Sequence, residues 1–98
     1  MPQPVLLQET TRLRAVVCDP RYRIRYTNHA LVEMAADDIV ADDVRLVLQR
    51  GEVTWFETKK EMLWHVEGKD ADDRKLRLVA VVYDDDAIVK LVTAMLLN

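Results

Sequence analysis

The sequence has little of what several specialised protein classes require. Its single cysteine, Cys18, excludes an internal disulfide and a thiolate metal site, and it agrees with a reducing compartment. No apolar run is long enough to cross a bilayer, and the first residues lack the basic start and apolar stretch of a secretory signal. We therefore expect a cytoplasmic protein without membrane contact. Because no repeat, linker or low-complexity segment interrupts the chain, residues 1–98 are treated as one domain.

The chain also lacks an excess of basic residues. It contains 14 lysines and arginines against 17 aspartates and glutamates, a net charge of -3. A dedicated nucleic-acid binder is usually basic overall, because neutralisation of phosphate dominates its affinity. The arginines are concentrated near the start of this chain, whereas residues 31–57 are strongly acidic. Any binding of a polyanion must therefore depend on a local basic patch.

Periodicity and capping residues predict three helices. The first covers residues 4–18, with Pro4 in its opening turn and Asp19-Pro20 as its end. A second begins after Thr27 or Asn28 and continues to about Ala36. Asp42-Asp43 opens a third helix, which Gly51 ends.

The rest of the chain has the pattern of strands. Arg21–Tyr26 alternates strictly between arginine and apolar or aromatic residues, and a period of two returns from Glu52 onwards. The run Leu76–Tyr83 is almost continuously apolar and predicts the central strand, followed by a last strand over 88–93. Helix, strand, two helices and four strands make an α+β domain with an antiparallel sheet.

Two sets of apolar residues need a place in this fold. Four large side chains at strand spacing are interpreted as core, with exposure of one of them on an association surface as the alternative: Trp55, Phe56, Met62 and Trp64. The C-terminal segment 94–98 is apolar except for its last residue. It must be buried or find a partner, and we expect it to fold back onto the first helix, with dimerisation as the alternative.

Several motifs together resemble a known family. They are Thr27-Asn28-His29-Ala30-Leu31-Val32-Glu33-Met34, then Ile39, Asp43-Val44, Gly51-Glu52-Val53, Trp64–Lys69 and Arg74. This order is similar to that of small uncharacterised bacterial domains related to the BrnT- and RelE-type toxins of toxin–antitoxin systems, over about residues 20–94. The resemblance implies a curved antiparallel sheet of four to five strands packed against two to three helices. It also implies cleavage of messenger RNA, basic side chains on the sheet that bind phosphate, and an antitoxin as protein partner.

The predicted site centres on His29, at the start of the second helix. There the helix dipole disfavours a protonated ring and leaves a base, which RNA cleavage by the 2′-hydroxyl requires together with cations. We predict a catalytic set of His29, Arg74 and Arg77, phosphate or RNA contacts from Arg23, Arg25, Thr27 and Asn28, and no metal or cofactor. A structural His29, whose ring hydrogen-bonds a neighbouring backbone group, is the alternative.

Two acidic residues depart from the family pattern. The family commonly has arginines at the positions of Glu33 and Asp37, and carboxylates there would repel phosphate. Two functions therefore stay open. The first is a toxin-type endoribonuclease, and the second is a catalytically inert module for protein interaction or dimerisation on the same fold. Convergence of the arginines beside His29 would favour the first.

Overall fold

The structure, a computed structural model, describes residues 5–97 of the chain. Within these residues lie three α-helices and five strands in the predicted order, which confirms the α+β fold class. The helices are α1 (Leu7–Val17), α2 (Asn28–Ala36) and α3 (Ala41–Arg50). The strands are β1 (Arg23–Tyr26), β2 (Glu52–Thr58), β3 (Met62–Lys69), β4 (Lys75–Tyr83) and β5 (Ile88–Leu97).

Local hydrogen bonds explain where the helices begin. Before α2, the Thr27 hydroxyl accepts a bond of 3.1 Å from the backbone amide three residues later. In the first turn of α3, the Asp43 carboxylate accepts a bond of 2.9 Å from the backbone amide of Val40, and the helix ends at Gly51. Both helices therefore agree with the predicted caps. The first helix is shorter than predicted, since α1 begins at Leu7; Pro4 lies outside the described residues.

The sheet has the strand order β1-β5-β4-β3-β2, with β4 at its centre as predicted. Strands β2 to β5 are joined as antiparallel neighbours, but β1 lies parallel to β5, with Arg23 opposite Ile88. Strand direction depends on how the connections cross the fold, which periodicity does not encode. β1 is also shorter than the predicted Arg21–Tyr26, because the Asp19 carboxylate binds the amide and guanidinium of Arg21 in the preceding turn.

The helices pack against one face of the sheet and form the core with it. Their contribution is Leu13, Val16, Ala30, Met34, Val44, Val47 and Leu48. The strands contribute alternate residues, chiefly Val53, Trp64, Val66, Leu76, Leu78, Ala80, Val89, Leu91 and Ala94. Side chains between these positions point to the opposite face, which no helix among residues 5–97 covers.

Two glycines bring the end of α3 into direct contact with β3. A Cβ atom on Gly68 would lie 2.8 Å from the Gly51 Cα. A Cβ atom on Gly51 would lie 2.5 Å from the carbonyl oxygen of Val47 and 2.6 Å from that of Glu67. Both glycines are therefore required for this close approach, which sets the position of β3 relative to α3.

Two predictions about apolar residues are wrong. The C-terminal segment does not fold back onto α1: residues up to Leu97 extend β5 and pair with β4, and Asn98 lies outside the described residues. Of the four large side chains predicted as core, only one is buried, at 2% exposure; Trp55, Phe56 and Met62 are 53%, 41% and 45% exposed. A β-bulge after Val53 explains Trp55, because the extra residue turns that side chain to the face without helices.

Candidate functional site

The face of the sheet opposite the helices, called here the helix-free face, carries a distinct set of side chains. Across neighbouring strands, Trp55 lies opposite His65, and Glu67 lies opposite Arg77. Further along, Lys90 of β5 lies opposite both Arg25 of β1 and Val81 of β4. Because directly opposed residues project to the same side, the strand register places these side chains on one continuous surface.

Charge is divided unevenly between the two sides of the domain. All five lysines lie on the helix-free face or in the turn between β2 and β3 at its edge: Lys59, Lys60, Lys69, Lys75 and Lys90. Three arginines share this surface, namely Arg23, Arg25 and Arg77. Its acidic residues are Glu52, Glu57, Glu61 and Glu67, together with Asp73 in the turn before β4, which lies 3.4 Å from Lys69; no aspartate lies in any described strand. The surface is therefore basic although the whole chain is acidic.

His65 is held by two neighbours within this surface. Its Nε2 lies 3.3 Å from Oε1 of Glu57, and its ring centroid lies 4.8 Å from that of Trp55. The His65 side chain is 13% exposed, so a ligand can reach it. When the Nε2–H group donates a hydrogen bond to Glu57, the other ring nitrogen, Nδ1, carries a lone pair that can accept a proton.

Arg77 is held beside His65 by the carboxylate of Glu67. The Glu67 Oε2 accepts hydrogen bonds from the Thr54 hydroxyl at 3.0 Å and from Nη2 of Arg77 at 3.2 Å, and Lys75 Nζ lies 3.7 Å from Oε1. The Nε of Arg77 is buried and has no hydrogen-bond partner within residues 5–97. Glu67 thus fixes the guanidinium, and the Arg77 side chain is 28% exposed, so that an anion can reach its other N–H donors.

Two depressions among residues 5–97 bring together polar and apolar side chains of the helix-free face. The first has a volume of about 360 Å³ and is lined by Thr54, Trp55, His65, Glu67 and Arg77. The second has a volume of about 470 Å³ and is lined by Thr27, Lys59, Lys60, Glu61, Leu63, Lys90 and Val92. We call them the His65 depression and the Lys90 depression.

In the Lys90 depression, one carboxylate holds two donors. Glu61 accepts hydrogen bonds from Nζ of Lys90 and from the hydroxyl of Tyr83. These bonds, that of Lys90 first, lower the pKa of Glu61, and the bond to Glu61 raises the pKa of Lys90. Lys90 is therefore a fixed cation at neutral pH.

The predicted base, His29, lies elsewhere. It is exposed in the first turn of α2, and its Nε2 lies 3.2 Å from Oε1 of Glu33. The same Glu33 oxygen accepts a 3.3 Å bond from the backbone amide of Ala94 on β5. Glu33 therefore satisfies a strand amide that has no β1 neighbour, which is a structural reason for an acid at this position.

Arg74 is a structural clamp. Its Nε donates to Asp70 at 2.7 Å, and its two terminal nitrogens donate to the carbonyl oxygens of Asp37 and Asp38 after α2. Burial raises the pKa of Asp70, but the hydrogen bonds from the amide and guanidinium of Arg74 outweigh it and lower that pKa below its ordinary value. The clamp also explains the acid at position 37, since its backbone carbonyl is the contact.

The predicted catalytic set is therefore not brought together. Arg74 binds the C-terminal end of α2 while His29 lies at its N-terminal end, about 12 Å away along the helix axis. Arg77 lies on the helix-free face, bound to Glu67. Arg77 lines a depression together with His65 and Glu67, whereas Arg74 lines a separate one with Asp73 and Lys75.

The predicted phosphate contacts divide into two pairs. Arg23 and Arg25 are exposed on β1, on the same surface as Lys90, which is compatible with binding an anion there. Thr27 caps α2, and its hydroxyl also lies 3.3 Å from the carbonyl oxygen of Val92, so its hydrogen-bonding capacity is largely used. Asn28 is exposed at the start of α2. Their roles as phosphate ligands stay predictions.

The sequence did contain one signal for the His65 depression. Alternation along β3 already indicates that His65 and Glu67 share a face. Their pairing with Arg77 depends on the register of β3 against β4, and the position of Trp55 depends on the bulge in β2. Neither feature is visible in a local sequence pattern.

Within residues 5–97, no three histidine, cysteine, aspartate or glutamate side chains are grouped so that they could hold a metal ion. No helix among these residues has the length and apolar character needed to span a membrane.

The fold and its surface define a small α+β domain in which helices cover one side of a sheet and the other side is open and basic. Residues 26–96 match the family described as a domain of unknown function (DUF4258). The chain therefore belongs to this family. No curated protein and no solved structure matches the chain. The family match includes every residue that lines the His65 depression.

Proposed function

We propose that this domain acts on RNA as a small toxin-type endoribonuclease similar to the BrnT and RelE toxins, with the helix-free face as its substrate site. The observation that carries the proposal is the cluster of His65, Arg77 and Trp55 on a basic surface of an acidic protein. A base or acid, a cation for phosphate and an aromatic ring for a nucleobase are the groups that metal-free RNA cleavage needs.

The charge distribution supports a polyanionic substrate. Eight basic residues share the helix-free face or its edge with five acidic ones: Arg23, Arg25, Lys59, Lys60, Lys69, Lys75, Arg77 and Lys90 against Glu52, Glu57, Glu61, Glu67 and Asp73. Phosphate binding depends on the local field near the contact, because charges farther away than about 10 Å are largely screened at moderate salt. The acidic loops and helices elsewhere therefore do not prevent binding here.

The proposed chemistry assigns one role to each group. Nδ1 of His65 accepts the proton of a ribose 2′-hydroxyl, with Glu57 holding the other ring nitrogen. The 2′-oxygen attacks the adjacent phosphorus, the bond to the 5′-oxygen breaks, and that oxygen takes a proton from solvent. Arg77 stabilises the negative charge that develops on the phosphate oxygens. The products are a 2′,3′-cyclic phosphate and a free 5′-hydroxyl.

The test compares the wild type with His65→Ala and His29→Ala. Purified wild type should cleave RNA, and its expression in a bacterium should arrest growth with loss of intact transcripts. His65→Ala should lower the cleavage rate by about 10²–10⁴-fold, the usual contribution of a general acid or base. His29→Ala, the matched control, should cleave as the wild type does. Intact RNA and normal growth in the presence of folded wild-type protein would contradict the proposal. Loss of cleavage in His29→Ala alone would place the catalytic site at the start of α2.

The second candidate is a catalytically inert module for protein interaction or dimerisation. It is favoured by the exposure of Phe56 and Met62, which lie on the same side of the β2–β3 hairpin, since neighbouring exposed large apolar side chains are typical of an association surface. Light scattering of the wild type and Phe56→Ser distinguishes this candidate. A dimer that Phe56→Ser dissociates, together with intact RNA, would support it over the ribonuclease.

A further inference from the structure

We infer that the Lys90 depression binds a second phosphate of the same RNA strand, so that the ligand is a single-stranded oligonucleotide carrying at least two phosphates. The inference rests on the proposed function and specifies its substrate. It concerns the chain length and strandedness of the RNA.

Arg77 and Lys90, the cations of the two depressions, are held apart. Glu67 fixes the guanidinium of Arg77, and Glu61 fixes the ammonium of Lys90. Glu61 and Glu67 are six residues apart in an extended segment, which is about 20 Å at the usual rise of a strand. Because each carboxylate holds its own cation, Arg77 and Lys90 cannot contact one phosphate. Full use of the surface requires phosphates at two places.

The surface between the two depressions can accommodate a continuous RNA strand. Along β4 the helix-free face carries Val79 and Val81, which are 7% and 5% exposed, between Arg77 and the turn at Tyr83. No acidic side chain of β4 or β5 interrupts this path. The Lys90 depression itself combines apolar walls from Leu63 and Val92 with the three lysines at 59, 60 and 90. Apolar walls and ammonium groups match the sugar–base and phosphate parts of a nucleotide.

The exposed ring beside His65 decides in favour of a single strand. Trp55 is 53% exposed and lies against His65, where a base can stack on its free surface. Only an unpaired base offers its face to an aromatic side chain, and such stacking is the common way in which proteins bind single strands. A duplex would present only its backbone to this surface.

Fluorescence anisotropy of labelled 2′-O-methyl oligouridylates, which cannot be cleaved through the 2′-oxygen, provides the test. The probes are a dinucleotide with one internal phosphate, a tetranucleotide, an octanucleotide and an RNA duplex, each titrated with the full chain at several salt concentrations. The proteins are the wild type, Lys90→Gln and Glu61→Gln. Arg50→Gln is the control, because Arg50 is an exposed cation at the end of α3.

The wild type should bind the octanucleotide at least tenfold more tightly than the dinucleotide, and more tightly than the duplex. Lys90→Gln should lose roughly tenfold in octanucleotide affinity, the effect of one hydrogen bond to a charged group. Its salt dependence should fall by about 0.7 in slope, the value for one phosphate of a single strand. Its dinucleotide affinity should be unchanged. Glu61→Gln should strengthen octanucleotide binding, and Arg50→Gln should change neither probe.

The failure of this inference differs from the failure of the proposed function. Equal affinities for dinucleotide and octanucleotide would overturn the second phosphate site while leaving RNA binding intact. Equal losses in Lys90→Gln and Arg50→Gln would do the same, as would preference for the duplex. No binding of any RNA by the wild type would overturn both.

Discussion

Replacing Glu67 with glutamine should change stability and RNA binding in opposite directions. The substitution keeps the shape of the side chain but removes the charge that holds Arg77 and Lys75. Breaking a fully buried ion pair costs about 3–5 kcal/mol. Glu67 is 8% exposed, but its partners Arg77 and Lys75 are 28% and 55% exposed, so solvent screens much of the attraction. We therefore expect a loss of about 1–2 kcal/mol in the free energy of unfolding.

Urea and thermal denaturation of four proteins measure this effect. They are the wild type, Glu67→Gln, Arg77→Met and the double variant, which together give the coupling free energy of the pair. The Tm of Glu67→Gln should fall by roughly 5–15 °C, since 1 kcal/mol corresponds to about 4–8 °C in a domain of this size. The exposed Glu52→Gln is the control and should change stability by less than about 0.5 kcal/mol.

The same variant should bind RNA more tightly than the wild type. Removing Glu67 takes a negative charge from the His65 depression and releases Arg77 for phosphate. Anisotropy with a labelled octanucleotide at low salt measures the change. A Glu67→Gln protein with unchanged Tm, no coupling to Arg77 and weaker RNA binding would refute the arrangement of charges described for this depression.

Three other substitutions test the fold and its titrations. Gly68→Ala should lower the free energy of unfolding by about 1–3 kcal/mol, since its Cβ would lie 2.8 Å from the Gly51 Cα; wild-type stability in urea would contradict that close approach. Burial raises the pKa of Tyr22 from 10.0 to about 12. The contribution of its neutral hydroxyl to stability should therefore be complete below pH 10 and be lost as the pH rises through 12. Thermal melts of Tyr22→Phe should lack this alkaline loss. The lowered pKa of Asp70 stabilises the fold at neutral pH, so the Tm advantage over Asp70→Asn should vanish as the pH falls below 3.8, and a constant difference would exclude this linkage.

The parts of the fold that could be predicted are those with local causes. Thr27 marks the start of α2 because capping depends on a few neighbouring residues, whereas Gly51 after α3 is required by its contact with β3. The apolar run of β4 predicts a central strand because burial on both faces leaves a continuous pattern. The direction of β1 and the bulge after Val53 could not be predicted, since both depend on contacts between distant parts of the chain.

The same difference between local and long-range causes applies to the candidate site. Arg74 and Arg77 look alike in the sequence, as two arginines on either side of a strand start. Their partners decide the difference: Arg74 is bound by Asp70 and the backbone after α2, whereas Arg77 lies in a depression with His65. The binding partner of a charged residue depends on tertiary structure. Composition and periodicity therefore indicate that a residue is basic and exposed or buried, but they do not indicate its role.

The most direct test of the helix-free face as an RNA site is a nuclear magnetic resonance titration. Isotopically labelled protein carrying His65→Ala, which prevents cleavage under the proposed function, is titrated with the octanucleotide. We predict saturable shifts at the Trp55 indole, the Arg77 guanidinium and the residues around Lys90, with α1 and α3 unchanged. Shifts confined to the helices, or to the start of α2 around His29, would contradict the account.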